Sequence, residues 1–335
     1  DRLPSRLPPA AGPGEVKQPL LRVEERLRDS AVGAGLFETI HYPFVDRDGE
    51  EAPYGDWLRL TDTALEPLAL VNPVDASRRH LRATLFPGLL DAVARNLRYG
   101  ARESALFEVG RAFGARGESG QPESYESRRF AFALAGDRRS HWSVPEKLRA
   151  ADFFDARGLV EGLLGPWVAS SELVWKPVHV GGFTDGAAAT VETRSGSLLG
   201  IVGLVSEPER QKRDLSIPVF AGEILIGAVP TGARPFLFEE YSTLPAISAD
   251  LSFAQPKAFA WQELEEFVRS RGLPHLESLS CVDRYEGPGV AAGQVKTTIR
   301  LTFRSQDRTL EQEEVNRHVR RLAEELASRP GVRLG

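Results

Sequence analysis

The last third of the chain limits the possible folds most tightly. Val295, Thr297, Ile299, Leu301 and Phe303 occupy every second position, the pattern of a strand with one buried face. Ahead of it, Ile247, Leu251 and Phe253 predict a strand. Leu264, Phe267 and Val268 predict a helix ending at Gly272, and a second strand covers about 278–285. Gly287 to Gly293 supplies a turn before the alternating strand. Thr309 is expected to cap a last helix, with Gln312 in the capping-box position and Glu311, Glu313 and Glu314 in its first turn. Val315, Val319, Leu322 and Leu326 line one face of that helix, and 332–334 suits a short final strand. The order is β-α-β-β-α-β, a split unit that closes its own core.

Upstream the pattern changes. Pro4, Pro8, Pro9 and Pro13 make 1–14 an extended linker. Leu20, Val23, Leu27 and Ala31 recur at helical spacing from Pro19 to Val32, and Gly33 and Gly35 stop the helix. A strand is expected over 36–45, ending near Pro43. Leu89, Leu90, Val93 and Leu97 place a helix at 87–97, followed by strands at 104–109 and 130–134. Between those strands, the Gly- and Glu-rich stretch 114–127 reads as a hairpin loop. A third helix covers 154–164. Strands then run in series at 173–177, 188–193, 198–205 and 220–226. Such a series indicates a mixed, mainly antiparallel sheet rather than repeated parallel crossovers. Pro230 to Pro235 is a connector. The chain is therefore expected to be α+β: a linker at 1–14, a mixed-sheet module at 15–230, a linker at 231–239 and the split unit at 240–335.

Composition closes off several functions. The 335 residues exceed what one core usually organises. The net charge is -5, which argues against a surface committed to nucleic acid throughout; any RNA contact must be local, and no DNA-binding motif is evident. Residues 241–335 carry 13 Lys+Arg and 13 Asp+Glu, so the excess acid lies upstream. One cysteine, Cys281, excludes an internal disulfide and suits a reducing cytoplasm. Its alternating apolar neighbours predict a core thiol. No apolar run is long enough to cross a bilayer, and no signal pattern opens the chain. A chain that starts at Asp1 and holds no methionine reads as a fragment.

The run Arg82-Ala83-Thr84-Leu85-Phe86-Pro87-Gly88-Leu89-Leu90 precedes Asn96-Leu97 and then Leu106-Phe107-Glu108-Val109-Gly110-Arg111. Asp152-Phe153-Phe154-Asp155 follows, and Leu301-Thr302-Phe303-Arg304-Ser305 with Asp307-Arg308-Thr309-Leu310 comes near the end. This ordered set resembles the beta subunits of bacterial phenylalanyl-tRNA synthetases. The resemblance implies a class II synthetase-like module that does not activate amino acid, followed by a ferredoxin-like anticodon-binding domain. It also implies an alpha-subunit partner in an alpha2-beta2 assembly, tRNA(Phe) as the RNA, and ATP and magnesium used by the holoenzyme but held elsewhere. In the first class II motif a long helix leads into a strand that packs on a partner subunit. Leu20, Leu27, Phe37, Tyr42 and Phe44 would then belong to the interface, although an ordinary helix–strand unit fits the pattern as well.

Catalytic constellations are absent from the sequence. Histidines 41, 80, 141, 179, 275 and 318 show no ligand spacing, and neither a Walker-type loop nor a G-x-S-x-G elbow occurs. Glu108 and Arg111 stand where the family's strand would carry a catalytic arginine, and they read as structural groups. Asp152 and Asp155 read as a helix cap. For RNA, Tyr285, Arg300 and Arg304 lie on or beside sheet strands, where bases can stack and bond. Arg317, Arg320 and Arg321 form a basic patch on the last helix. That patch equally reads as a solvated face paired with Glu313, Glu314, Glu324 and Glu325. Two features depart from the family pattern: Ser248-Ala249 replace a basic pair, and Pro288 follows the Tyr285-Glu286-Gly287 turn. A stand-alone interaction protein reusing the fold without RNA, and an active class II enzyme, are the rival readings.

Overall fold

Pro19 opens the first helix, where a missing N–H costs nothing, and Gly35 at φ 87° ends it in a conformation other residues avoid. This helix, α1 (Pro19–Gly33), buries Val23, Leu27 and Ala31. The computed structural model describes residues 18–46, 51–61, 68–73, 75, 78–116, 123–137, 149–235, 238 and 240–334. The expected linker at 1–14 lies outside them. The chain divides into two units, Asp1–Pro235 and Phe236–Gly335.

In the first unit α1 is followed by β1 (Phe37–Glu38), β2 (Phe44–Val45), α2 (Gly55–Thr61), β3 (His80–Leu81) and α3 (Phe86–Arg98). The long hairpin β4 (Glu103–Arg116) and β5 (Glu123–Gly136) comes next, then α4 (Phe153–Leu164). The strands β6 (Leu173–Pro177), β7 (Phe183–Thr193) and β8 (Leu198–Val205), the short α5 (Glu207–Gln211) and β9 (Val219–Leu225) complete the unit. The seven-stranded sheet has the order β1-β4-β5-β9-β8-β7-β6; only the β1–β4 pair is parallel. The mixed, mainly antiparallel sheet read from the sequence is thus the one observed.

Alternation divides the sheet between two cores. On β5, Phe130, Phe132 and Leu134 face α1 and α4, where Leu27, Val160 and Leu163 are buried with them. Ala131, Ala133 and Ala135 face α3, whose Phe86, Leu89, Leu90 and Val93 fill the room the small side chains leave. Asp152 caps α4 by accepting from the Phe154 and Asp155 amides at 2.8 and 3.0 Å, and Asp155 accepts from the Asp152 amide at 2.9 Å. The reading of these two acids as a cap is what the geometry shows.

The structure corrects several local expectations. The single strand over 36–45 is two short strands: β1 lies beside β4, and β2 pairs with β3. Between them Pro43 has no N–H to continue a ladder, and His41 turns in toward Glu108. The loop expected over 114–127 is mostly ladder, with pairing extending to Arg116 and Glu123. α2 and α5 have no counterpart in the sequence reading, because each is too short to show a helical period.

The second unit runs β10 (Ile247–Pro256), α6 (Trp261–Ser270), β11 (Leu276–Tyr285), β12 (Gln294–Phe303), α7 (Gln312–Ala327) and β13 (Arg333–Leu334). The sheet order β11-β12-β10-β13 is that of a ferredoxin-like fold. Phe253, Ile299, Leu301 and Phe303 meet Leu264, Val268, Val315, Leu322 and Leu326 in one core. Thr309 does not cap α7. Glu311 occupies that position with no side-chain cap, because Leu310 is drawn into the core before the helix starts. Cys281 is exposed, not packed. Its strand β11 is an edge strand, irregular in register at 276/278 and 281/283, and little covers its outer half.

Candidate docking and nucleic-acid surfaces

Glu108, Ala131 and Glu223 are direct neighbours across β4, β5 and β9, on the face covered by α3. Two carboxylates therefore lie two strand spacings apart, on the order of 10 Å, with only a methyl between them. Each is buried: Glu108 is 1% exposed and Glu223 0%. A buried charge needs a partner, and each has an arginine. Arg82 donates to Glu108 Oε1 at 2.7 Å, and His41 Nδ1 lies 2.7 Å from Oε2. Arg129 donates to Glu223 Oε2 at 3.2 Å, joined by Trp57 Nε1 at 2.6 Å. Thr84 Oγ1 and the Leu85 amide reach Glu223 Oε1 at 3.0 and 2.9 Å.

Burial pushes the Glu108 carboxyl up, but the His41 hydrogen bond and the Arg82 charge outweigh it and hold the group below the ordinary carboxylate range. Gly110 makes room for this pair: a Cβ there would stand 2.4 Å from Arg82 Nη2. Arg111 does not meet Glu108. It pairs with Glu126 across the hairpin at 2.8 Å, and its carbonyl accepts from Arg82 Nε at 3.1 Å. With every carboxylate oxygen of the two acids engaged by internal donors, this face offers closed ion pairs rather than a proton acceptor aimed at solvent.

Arg82 opens the family-like run and His41 is one of the six histidines, but neither was given this role, and Trp57, Arg129 and Glu223 were not singled out from the sequence. Glu223, the lone charge in the otherwise apolar run Val219–Ile226, was the available signal. Its partners come from distant positions and show nothing until folded.

The expected interface residues separate into two groups. Leu27 is 0% exposed inside the unit's own core, so it has no surface to offer a partner; its helical spacing marks the core face of α1. Leu20 packs against the same core. Phe37, Tyr42 and Phe44 remain open at 74%, 79% and 39%, joined by Ile40 at 88%. The backbone beneath them is pinned. Thr39 N bonds Phe107 O at 2.8 Å, and Arg82 N bonds Pro43 O at 2.7 Å.

In the second unit both helices cover one sheet face, and the other carries a polar row. Asp250, Arg300 and Ser280 are cross-strand neighbours on it, as are Lys296 and Tyr285. Arg300 grips Asp250 through two bonds of 2.7 Å, which holds the Asp250 carboxyl below its usual range. Tyr285 is exposed, with its hydroxyl 3.4 Å from Pro288 O. Arg304 is tied down by Glu277 at 2.9 Å and the Leu244 carbonyl at 2.8 Å. Arg317, Arg320 and Arg321 belong to α7, whose apolar side packs on the opposite face of the sheet. Arg321 pairs with Glu325 at 2.9 Å, while Arg317 and Arg320 have no ion pair among the described residues. The six expected RNA contacts therefore fall on two different layers.

The mixed sheet and the split unit define an α+β chain in which a mainly antiparallel seven-stranded sheet module precedes a ferredoxin-like domain. Residues 3–226 match the family described as phenylalanyl tRNA synthetase beta chain CLM domain, and residues 242–334 match the ferredoxin-fold anticodon binding domain. The chain belongs to the phenylalanyl-tRNA synthetase beta chain family. Its curated relatives include the phenylalanine–tRNA ligase beta subunit of Xanthomonas campestris pv. campestris (strain 8004), 32% identical over 321 residues. That of Geobacillus kaustophilus (strain HTA426) is 28% identical over 316. Each alignment covers 94% of this chain and 38% of the relative, so the chain spans little more than a third of their length. Among solved structures, a pyrrolysyl-tRNA synthetase from Desulfitobacterium hafniense covers 63% of this chain and 67% of its own at TM-score 0.45 and 14% identity. Among the described residues no helix is long and apolar enough to cross a membrane.

Proposed function

We propose that the chain is a non-catalytic part of a phenylalanine–tRNA ligase beta subunit, working in the cytoplasm. It supports ATP-dependent charging of tRNA(Phe) by an alpha subunit within an alpha2-beta2 assembly. The observation that carries this reading is the order of the two family matches, 3–226 and then 242–334, over nearly the whole chain. The first unit contributes subunit contact through Phe37, Ile40, Tyr42 and Phe44. The second contributes anticodon contact through the open face bearing Tyr285 and Arg300. Holding the anticodon far from the reacting ester uses remote binding energy to position the acceptor end.

ATP and magnesium act at the alpha subunit. The reading of a stand-alone interaction protein finds no counterpart in the relatives named above.

Sedimentation of the chain with a bacterial alpha subunit tests the reading. A heavier species containing both chains is expected, and two independent boundaries would refute the contact. Titration with a tRNA(Phe) anticodon stem-loop should saturate more tightly than with a non-cognate loop. Pyrophosphate exchange by the chain alone should be undetectable; a measurable rate would instead support an active enzyme.

A further inference from the structure

A cavity of about 250 Å³ opens beside the Glu108 cluster, between the segment 40–45 and α3. That is smaller than the roughly 300–1,000 Å³ of small-molecule sites and suits one or two side chains. Its lining has two characters. Ile40, Tyr42 and Phe44 make an apolar lip, while Arg78 and Arg95 add two cations. The acid in the lining and the one beneath it are already engaged. Asp91 is held by Arg213 at 2.7 Å, and Glu108 by Arg82 and His41. Arg78 and Arg95 are exposed and have no ion pair among the described residues. Among the described residues, a positive rim without an ion-pair partner therefore stands next to exposed apolar surface.

We propose that this cavity is a socket for an apolar segment of the partner subunit that carries one carboxylate. The apolar side chains would cover Ile40, Tyr42 and Phe44, and the carboxylate would be met by Arg78 and Arg95. The proposal rests on the beta-subunit reading above and adds the chemistry of the partner surface.

A protein carboxylate fits better than an RNA phosphate. Residues 1–240 carry 29 Lys+Arg against 34 Asp+Glu (42 less 13, and 47 less 13), a balance that disfavours a polyanion. Tyr42 and Ile40, at 79% and 88% exposure, call for an apolar cover. The Glu108 hub beneath acts by positioning. His41 turned inward leaves its neighbours Ile40 and Tyr42 outside, so little ordering remains to oppose binding.

The test titrates the full chain with the alpha subunit at low and high salt, using wild type, the double variant Arg78→Glu/Arg95→Glu, and Ile40→Ser/Tyr42→Ser. All four positions are at the surface, and unchanged thermal unfolding confirms the fold of each variant. Charge reversal should weaken binding about tenfold or more at low salt and flatten or invert its salt dependence, because salt then screens a repulsion instead of an attraction. The serine variant should weaken binding without changing the salt slope. If the double variant binds with wild-type affinity and slope, the socket is wrong while the partner reading stands. If wild type does not bind the alpha subunit at all, both fall. If charge reversal abolishes retention of tRNA but not of the alpha subunit, the cations serve phosphate and the proposal is overturned.

Discussion

Arg129 and Glu223 in the first unit keep 1% and 0% of their side-chain surface, whereas Arg300 and Asp250 in the second keep 48% and 42%. Both are arginine–carboxylate pairs across adjacent strands of a sheet, yet their consequences differ. In the first unit, helix α3 covers the sheet, so water cannot solvate either ion and each must find every bond from protein. In the second, the face opposite the helices is open, and the pair remains in contact with solvent that screens it. A covered pair organises a core and cannot reach a ligand. An open pair adds little to stability but can exchange its partner for an incoming group.

The widest separation of the two regions comes from deleting one acid in each. Glu223→Ala removes the buried carboxylate that Arg129, Trp57, Thr84 and the Leu85 amide all bond, and should lower stability by about 3–5 kcal/mol in urea unfolding. A loss under about 1 kcal/mol would mean that water reaches Arg129 and that the face is not closed.

A second contrast lies within the first unit. Leu27→Ala should cost about 2–5 kcal/mol through the cavity it leaves, while Tyr42→Ala should stay within about 0.5 kcal/mol. Equal costs would contradict the division of the expected interface residues into core and surface.

Glu108→Gln should cost about 1–3 kcal/mol near neutral pH. Its pH dependence has a definite sign. The folded carboxyl lies below its ordinary value, so the unfolded chain binds the proton more readily. The charged form therefore contributes stability above the unfolded value of about 4.3, and the contribution is lost as pH falls through the folded value. The glutamine variant should show a shallower loss of stability on acidification, measurable as urea midpoint against pH. An unchanged slope would show that Glu108 is not held low.

Asp250→Asn should have the smallest effect on folding, with no resolvable change in Tm, because the pair is solvated. Arg300 would be released, and the salt dependence of anticodon stem-loop binding should steepen. A large drop in Tm would place this pair among the structural ones.

Much of the fold was legible because its elements carry their own periodicity. The alternation at 295–303 led directly to β12, and the serial strands between 173 and 226 led to a mainly antiparallel sheet. The cap at Asp152 was legible because its partners lie within three residues. Less local features were misread. Leu27 and Phe37 looked alike as apolar interface residues, since helical spacing says which face is apolar but not what covers it. Cys281 had apolar alternating neighbours but sits on an edge strand, a property of sheet order rather than of sequence.

By itself the sequence determined the class of fold, the order of two units and the family, because propensity, capping and motif spacing act over a few residues. The tertiary structure alone decided which charges are closed and which are open. Glu223 meets Thr84 across 139 positions and Trp57 across 166, and such pairings exist only once the sheet and α3 are packed. In the second unit both helices pack on one face of its sheet and leave the Arg300 side exposed, so burial, not residue type, separates a structural arginine from one available to a partner.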